Sequence, residues 1–193
     1  MTLKNLTKRI MMNKRIIWFV LFICSCSLPL TEEYQYWEDL SDSMKSETIK
    51  NLNIDENVMM FYMHQTRLSD NETSAEILDT LCAQTTDGNK RMFYFHIMNE
   101  VVKNADGALA EMLGVYCIKY INENADYALN YFSKHSDISN GYAVLIATEL
   151  YLNDSSITDF KQHLEHSVKG DHARSFIPVF LDSIEHELNS FKD

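Results

Sequence analysis

The chain has 193 residues, room for one ordinary domain, and its 46% hydrophobic content is enough for a real core. Only 5 glycines and 2 prolines are present, too few for the many tight turns of an all-β fold. All five bases of residues 1–26 and none of the 28 acids lie at that end, so the rest carries 28 acids against 12 bases and would repel nucleic acid.

Residues 1–15 include Lys4, Lys8, Arg9, Lys14 and Arg15. An unbroken apolar run, Ile16 to Ile23, follows directly. A basic stretch, a short apolar stretch and then small residues is the layout of an export signal. The run is far shorter than the roughly 20 apolar residues that cross a bilayer. Met11 or Met12 would be an ordinary beginning for such a signal, which makes the residues before it an over-called start.

The end of the run, Ile23-Cys24-Ser25-Cys26, resembles the lipobox of bacterial lipoproteins. That pattern has an aliphatic residue, then a small residue directly before an invariant cysteine. Ile23, Ser25 and Cys26 fill those places, and Cys24 stands between as a departure. Cys24 itself is the runner-up, with Leu21 three places before it and bulky Ile23 directly before it. The resemblance implies cleavage before Cys26, so that 1–25 is a signal peptide and Cys26 carries lipid. Two or more acyl chains give lasting anchorage, each buried CH₂ contributing ~0.8 kcal/mol. An uncleaved signal-anchor and an ordinary signal cut near Ser27 are the other readings of the segment. Residues 26–38 are then a lipidated tether, and its Tyr34, Tyr36 and Trp37 would rest on the domain or near the membrane interface.

From residue 39 onward the spacing predicts a single all-α domain to residue 193, an irregular helical bundle or a short stack of helical hairpins with about eight helices. Helical pattern runs over about 40–52, 56–68, 73–84, 88–103, 106–122, 125–135, 139–152, 156–169 and 171–191, with breaks rich in Asn, Asp and Ser. Leu109, Leu113, Tyr116, Cys117 and Tyr120 follow one helix face, and Phe160, Leu164 and Val168 another. Met92 to Val102 is apolar on more than one face and predicts the most buried helix. Ser156-Ile157-Thr158-Asp159 resembles a capping box. Gly170 suits a left-handed helix end. Pro178 would kink or split the last helix. Asn104-Ala105-Asp106 recurs as Asn124-Ala125-Asp126, twenty residues on.

Candidate chemistry is sparse. Cys82 and Cys117 would be a disulfide in an oxidising compartment or small core residues on apolar faces. His163, His166 and His172 are the one histidine cluster and the candidate metal ligands, with no His-Glu-x-x-His pattern to support them. His96 and Glu100 are spaced to pair along a helix. Tyr120, Tyr127, Tyr131 and Tyr142 would form an aromatic partner surface or fill the core. No glycine-rich phosphate loop, nucleophile elbow or dinucleotide fingerprint is present, and no cofactor is expected. The expected function is therefore a non-enzymatic envelope lipoprotein that binds a protein. One alternative is an immunity or inhibitor protein against a basic toxin or hydrolase. The other is a metal-dependent enzyme using the three histidines.

Overall fold

The computed structural model describes residues 34–191. The expected signal peptide, Cys24, Cys26 and the expected tether up to residue 33 lie outside the described residues. Among the described residues the fold is all-α: eight helices and one short 3-10 turn, Trp37–Asp39. We number the helices α1 Asp42–Asn51, α2 Glu56–Tyr62, α3 Glu72–Cys82, α4 Gly88–Lys103, α5 Gly107–Phe132, α6 Ser136–Leu152, α7 Ile157–Ser167 and α8 Asp171–Ser190. No helix among them is long and apolar enough to cross a membrane.

Helix starts are set by short polar side chains that take up otherwise unbonded N–H groups. Asp55 Oδ1 accepts from Asn57 and Val58, Asn71 Oδ1 from Ser74, and Asp87 Oδ1 from Asn89 and Lys90. Ser156 caps α7 through the N–H of Thr158. The end of α7 and start of α8 depart from expectation. Gly170 has an ordinary φ of −68° and stands at the N-cap of α8, not at a left-handed helix end. The cap comes from another helix: the Asp126 carboxylate, on α5, accepts the N–H groups of Lys169 and Gly170 at 2.7–3.1 Å. Pro178 leaves α8 whole. It lies on the exposed face, where solvent can serve the carbonyl left without its helical partner.

The twenty-residue recurrence has a shared local geometry. Asn104 and Asn124 each donate a side-chain N–H to the carbonyl four residues back, Glu100 and Tyr120. Asn104 ends α4. Asn124 has non-helical φ −133° and ψ 32°, so α5 is two helical segments meeting at a kink, at the break expected between 106–122 and 125–135.

Packing centres on α5, α6 and α8, with α4 laid against α3 and α6. Helix α4 buries nine residues, including Phe93, Phe95, Met98 and Asn99, which is why its apolar residues wrap around it. Helix α1 buries none and is peripheral. The packed region begins at Tyr34, earlier than the boundary at 39. Tyr36 and Trp37, expected in the tether, are 5% and 3% exposed. Their rings offer more apolar area to the core than any nearby residue, and that outweighs the aperiodic sequence around them.

Where α5 crosses α6, Gly114 is the point of closest approach. A Cβ there would stand 2.6 Å from the Leu145 carbonyl oxygen and 2.5 Å from Glu149 Cβ. Backbone cannot move aside as a flexible side chain can. Gly114→Ala is therefore expected to destabilise by about 1–3 kcal/mol, although alanine gains about 1 kcal/mol in helix propensity. Urea unfolding of the two proteins checks this, and a more stable variant would mean that the helices separate freely.

Candidate functional site

A groove of about 870 Å³ lies between the α2–α3 connection, α4 and the start of α5. Its floor is apolar: Ile97, Val101 and Leu109 are buried, and Phe61, Tyr62 and Leu68 half-buried. His64, Thr66, Arg67, His96, Glu100, Asn104 and Asp106 supply polar groups around it. An apolar floor with a few polar groups is the usual build of a ligand site.

The α2–α3 wall exists because α2 stops at Tyr62, shorter than the expected segment. The N–H of Gln65 bonds the carbonyl of Met60, and that of His64 bonds Phe61, both at 2.9 Å. This is a Schellman end, with His64 at the left-handed position where glycine is favoured. Its φ is +57°. Asp154 makes the same kind of end after α6, with φ +48°.

Behind the groove lies the aromatic strap formed by residues 34–40. Trp37 stacks on His96 with centroids 5.7 Å apart and meets Tyr62 edge-on at 6.5 Å. His96 Nδ1 bonds Glu38 Oε1 at 3.0 Å, and Glu100 bonds Lys103 at 3.0 Å. The expected His96–Glu100 pair is thus replaced. Glu38 approaches His96 from across the strap, while Lys103 is one turn from Glu100. Burial by itself would raise the Glu38 carboxyl, but the His96 hydrogen bond, a backbone hydrogen bond and the charges of His96 and Lys103 outweigh it and hold it low.

The sequence candidates are distributed elsewhere. His163 Nε2 pairs with the Asn122 carbonyl at 3.1 Å, His166 Nδ1 with that of Gln162 at 2.7 Å, and His172 Nε2 with Ser133 Oγ at 2.8 Å. Among the described residues, no three His, Cys, Asp or Glu side chains are grouped to hold a metal. Helical spacing places His163 and His166 near one another, but each is taken by a different neighbour. Cys82 and Cys117 are two free, buried thiols and not a bridge. Burial raises both, Cys82 to about 12, so neither is set up as a thiolate nucleophile. Tyr120, Tyr127, Tyr131 and Tyr142 form no partner surface: each is at most 3% exposed. They lie on the inward faces of α5 and α6, where Phe95 and Phe132 pack on them.

The groove itself was not visible in the sequence. Its residues come from three separate segments, and the polar ones sit in ordinary helix-end and loop contexts. His64 falls inside the expected 56–68 segment, and nothing local marks it as left-handed.

Two outcomes test this geometry. His64→Gly is expected to stabilise the fold by about 1 kcal/mol by relieving the left-handed backbone, read from thermal unfolding. A lower Tm would show that the imidazole contributes more than the backbone strain costs. The second concerns acid. A carboxyl held below its ordinary value of 4.5 stabilises the fold above that value, and the contribution fades as pH falls through the folded one. Glu38→Gln should therefore be less stable than wild type near neutrality, and the gap should close as pH falls from 4.5 through the lowered folded value. An equal gap across that range would show that the Glu38 charge plays no part.

Comparison of this chain with protein-family models, with curated proteins and with solved structures finds no match to it.

Proposed function

We propose that this chain is a non-enzymatic lipoprotein of a bacterial cell envelope, anchored through Cys26, whose helical domain binds another protein. The observation that carries the binding part is the groove: an apolar floor of half-buried Phe61, Tyr62 and Leu68 beside polar groups that leave the Arg67 and His64 side chains without partners among the described residues. Exposed aromatic and aliphatic area next to unpaired polar groups is suited to a peptide segment. The anchor is supported by the sequence alone, by the basic start, the run Ile16 to Ile23 and the Ile23-Cys24-Ser25-Cys26 pattern.

The acid surplus favours a second, narrower reading. Between residues 34 and 191 there are 25 acids and 11 bases. A field of that sign speeds encounter with a basic protein. An inhibitor or immunity role against a basic toxin or hydrolase fits that, with the groove as one part of a larger contact.

The test has two parts. Intact mass of the protein from the membrane fraction should equal a chain beginning at Cys26 plus two or three acyl chains, and Cys26→Ala should lose them. A full-length, unlipidated chain in the soluble fraction would remove the anchor. For binding, a photo-crosslinking residue at Thr66 should give a discrete protein adduct in cells, and the same residue at exposed Val179, outside the groove, should not. Equal labelling at both positions would end the groove reading.

A further inference from the structure

The charged groups lining the groove divide into those already satisfied and those left over. His96 is held by Glu38, and Glu100 by Lys103. The side chains of Arg67, His64 and Asp106 have no hydrogen-bond or ion-pair partner among the described residues. Arg67 is unusual for its type. Of the other two arginines in the described part, Arg91 lies over the Tyr127 ring at 4.8 Å, and Arg174 donates to the Val168 carbonyl at 2.8 Å. A guanidinium has five N–H donors in a planar fork that matches a carboxylate. Here that fork stands beside half-buried Leu68 in a groove whose volume lies in the range of ligand sites, roughly 300–1,000 Å³.

We propose that the groove takes an extended segment of the partner protein in which an acidic side chain stands beside an apolar one. This rests on the protein-binding reading above and names its occupant. Arg67 receives the carboxylate. Phe61, Tyr62 and Leu68 cover the apolar side chain. Asp106 accepts an N–H of the segment, which its free carboxylate can do and a paired one cannot. A basic segment would instead set its cation against Arg67, with the carboxylates of Glu38 and Glu100 already engaged and only that of Asp106 left to meet it. The domain's acid surplus makes this local cationic site a filter: long-range attraction favours a basic partner, and the groove then selects an acidic segment on it.

Trp37 is a built-in reporter, because its ring touches both Tyr62 and His96. The chain has 2 tryptophans, so Trp18→Phe in the full chain, held in detergent, leaves Trp37 as the single indole. The probes are capped five-residue peptide pools with a central Glu between residues drawn from Leu, Ile, Phe and Tyr. Matched pools carry Gln or Lys at the centre, and a further Gln pool has a free terminal carboxylate. Half-saturation of the Trp37 emission change by the Glu pool is expected roughly tenfold below that of the capped Gln pool. Arg67→Leu should remove that preference, Arg67→Lys should keep part of it, and Lys161→Leu, on the exposed face of α7, should keep all of it. Circular dichroism verifies that each variant is folded. Equal binding of Glu and Gln pools, preference for Lys, or a free-carboxylate Gln pool that matches the Glu pool would each overturn the proposal. If no pool binds while the Thr66 adduct persists, the occupant is wrong and the protein-binding reading stands; if both fail, both fall.

Discussion

Phe95 is the side chain on which the rest of the structure depends. It is buried on α4, and its ring packs on Tyr36 from the strap and on Tyr120, Tyr127, Tyr131 and Phe132 from α5. Each such aromatic pair contributes about 0.5–1.5 kcal/mol beyond its buried area. The geometry is set by more than apolar contact. Tyr127 donates its hydroxyl to the Gln35 carbonyl at 2.8 Å, and Tyr36 donates its own to the Tyr127 carbonyl at 3.3 Å. The strap and α5 are thus stitched in both directions. A phenol can serve this purpose because one edge packs and the other bonds.

That centre determines where the groove lies. The strap that Phe95 holds through Tyr36 also carries Trp37, whose ring packs on Phe93, Tyr62 and His96. Tyr62 and His96 are the groove's inner wall. The site is therefore built on a rigid aromatic layer, while its outer edge, His64 to Leu68, is a loop following a Schellman end. Rigid floor and adjustable edge are a common arrangement for sites that accept a chain segment.

Polar groups inside the core show a similar economy of partners. Asn99, 1% exposed, accepts from the Tyr142 hydroxyl at 3.1 Å, and the half-buried Asp126 carboxylate is met by two backbone N–H groups. The two buried thiols fit the same pattern. Desolvation keeps them protonated and apolar, as small fillers at the α3–α5 contact.

Much of the secondary structure was legible. Asp55, Asn71, Asp87 and Ser156 cap helices where the breaks were expected, because capping depends on residues within one turn. The burial of α4 followed from its many apolar residues. Little of the site was legible. His96 was paired with Glu100 by helical spacing, yet Glu38, 58 residues away in sequence, takes it. Four tyrosines read as a surface or a core turned out to be core, since periodicity marks a face but not what that face meets.

The sequence by itself determined the all-α class, the helix caps, the acid surplus and the export-like start, all of which depend on composition or on neighbours within a few residues. Tertiary structure decided the Asp126 cap on α8, the Gly114 crossing, the buried fate of Tyr36 and Trp37, and the groove with its leftover Arg67. Each of these joins groups far apart in the chain, and their pairing is chosen by how whole helices pack, which no local pattern encodes.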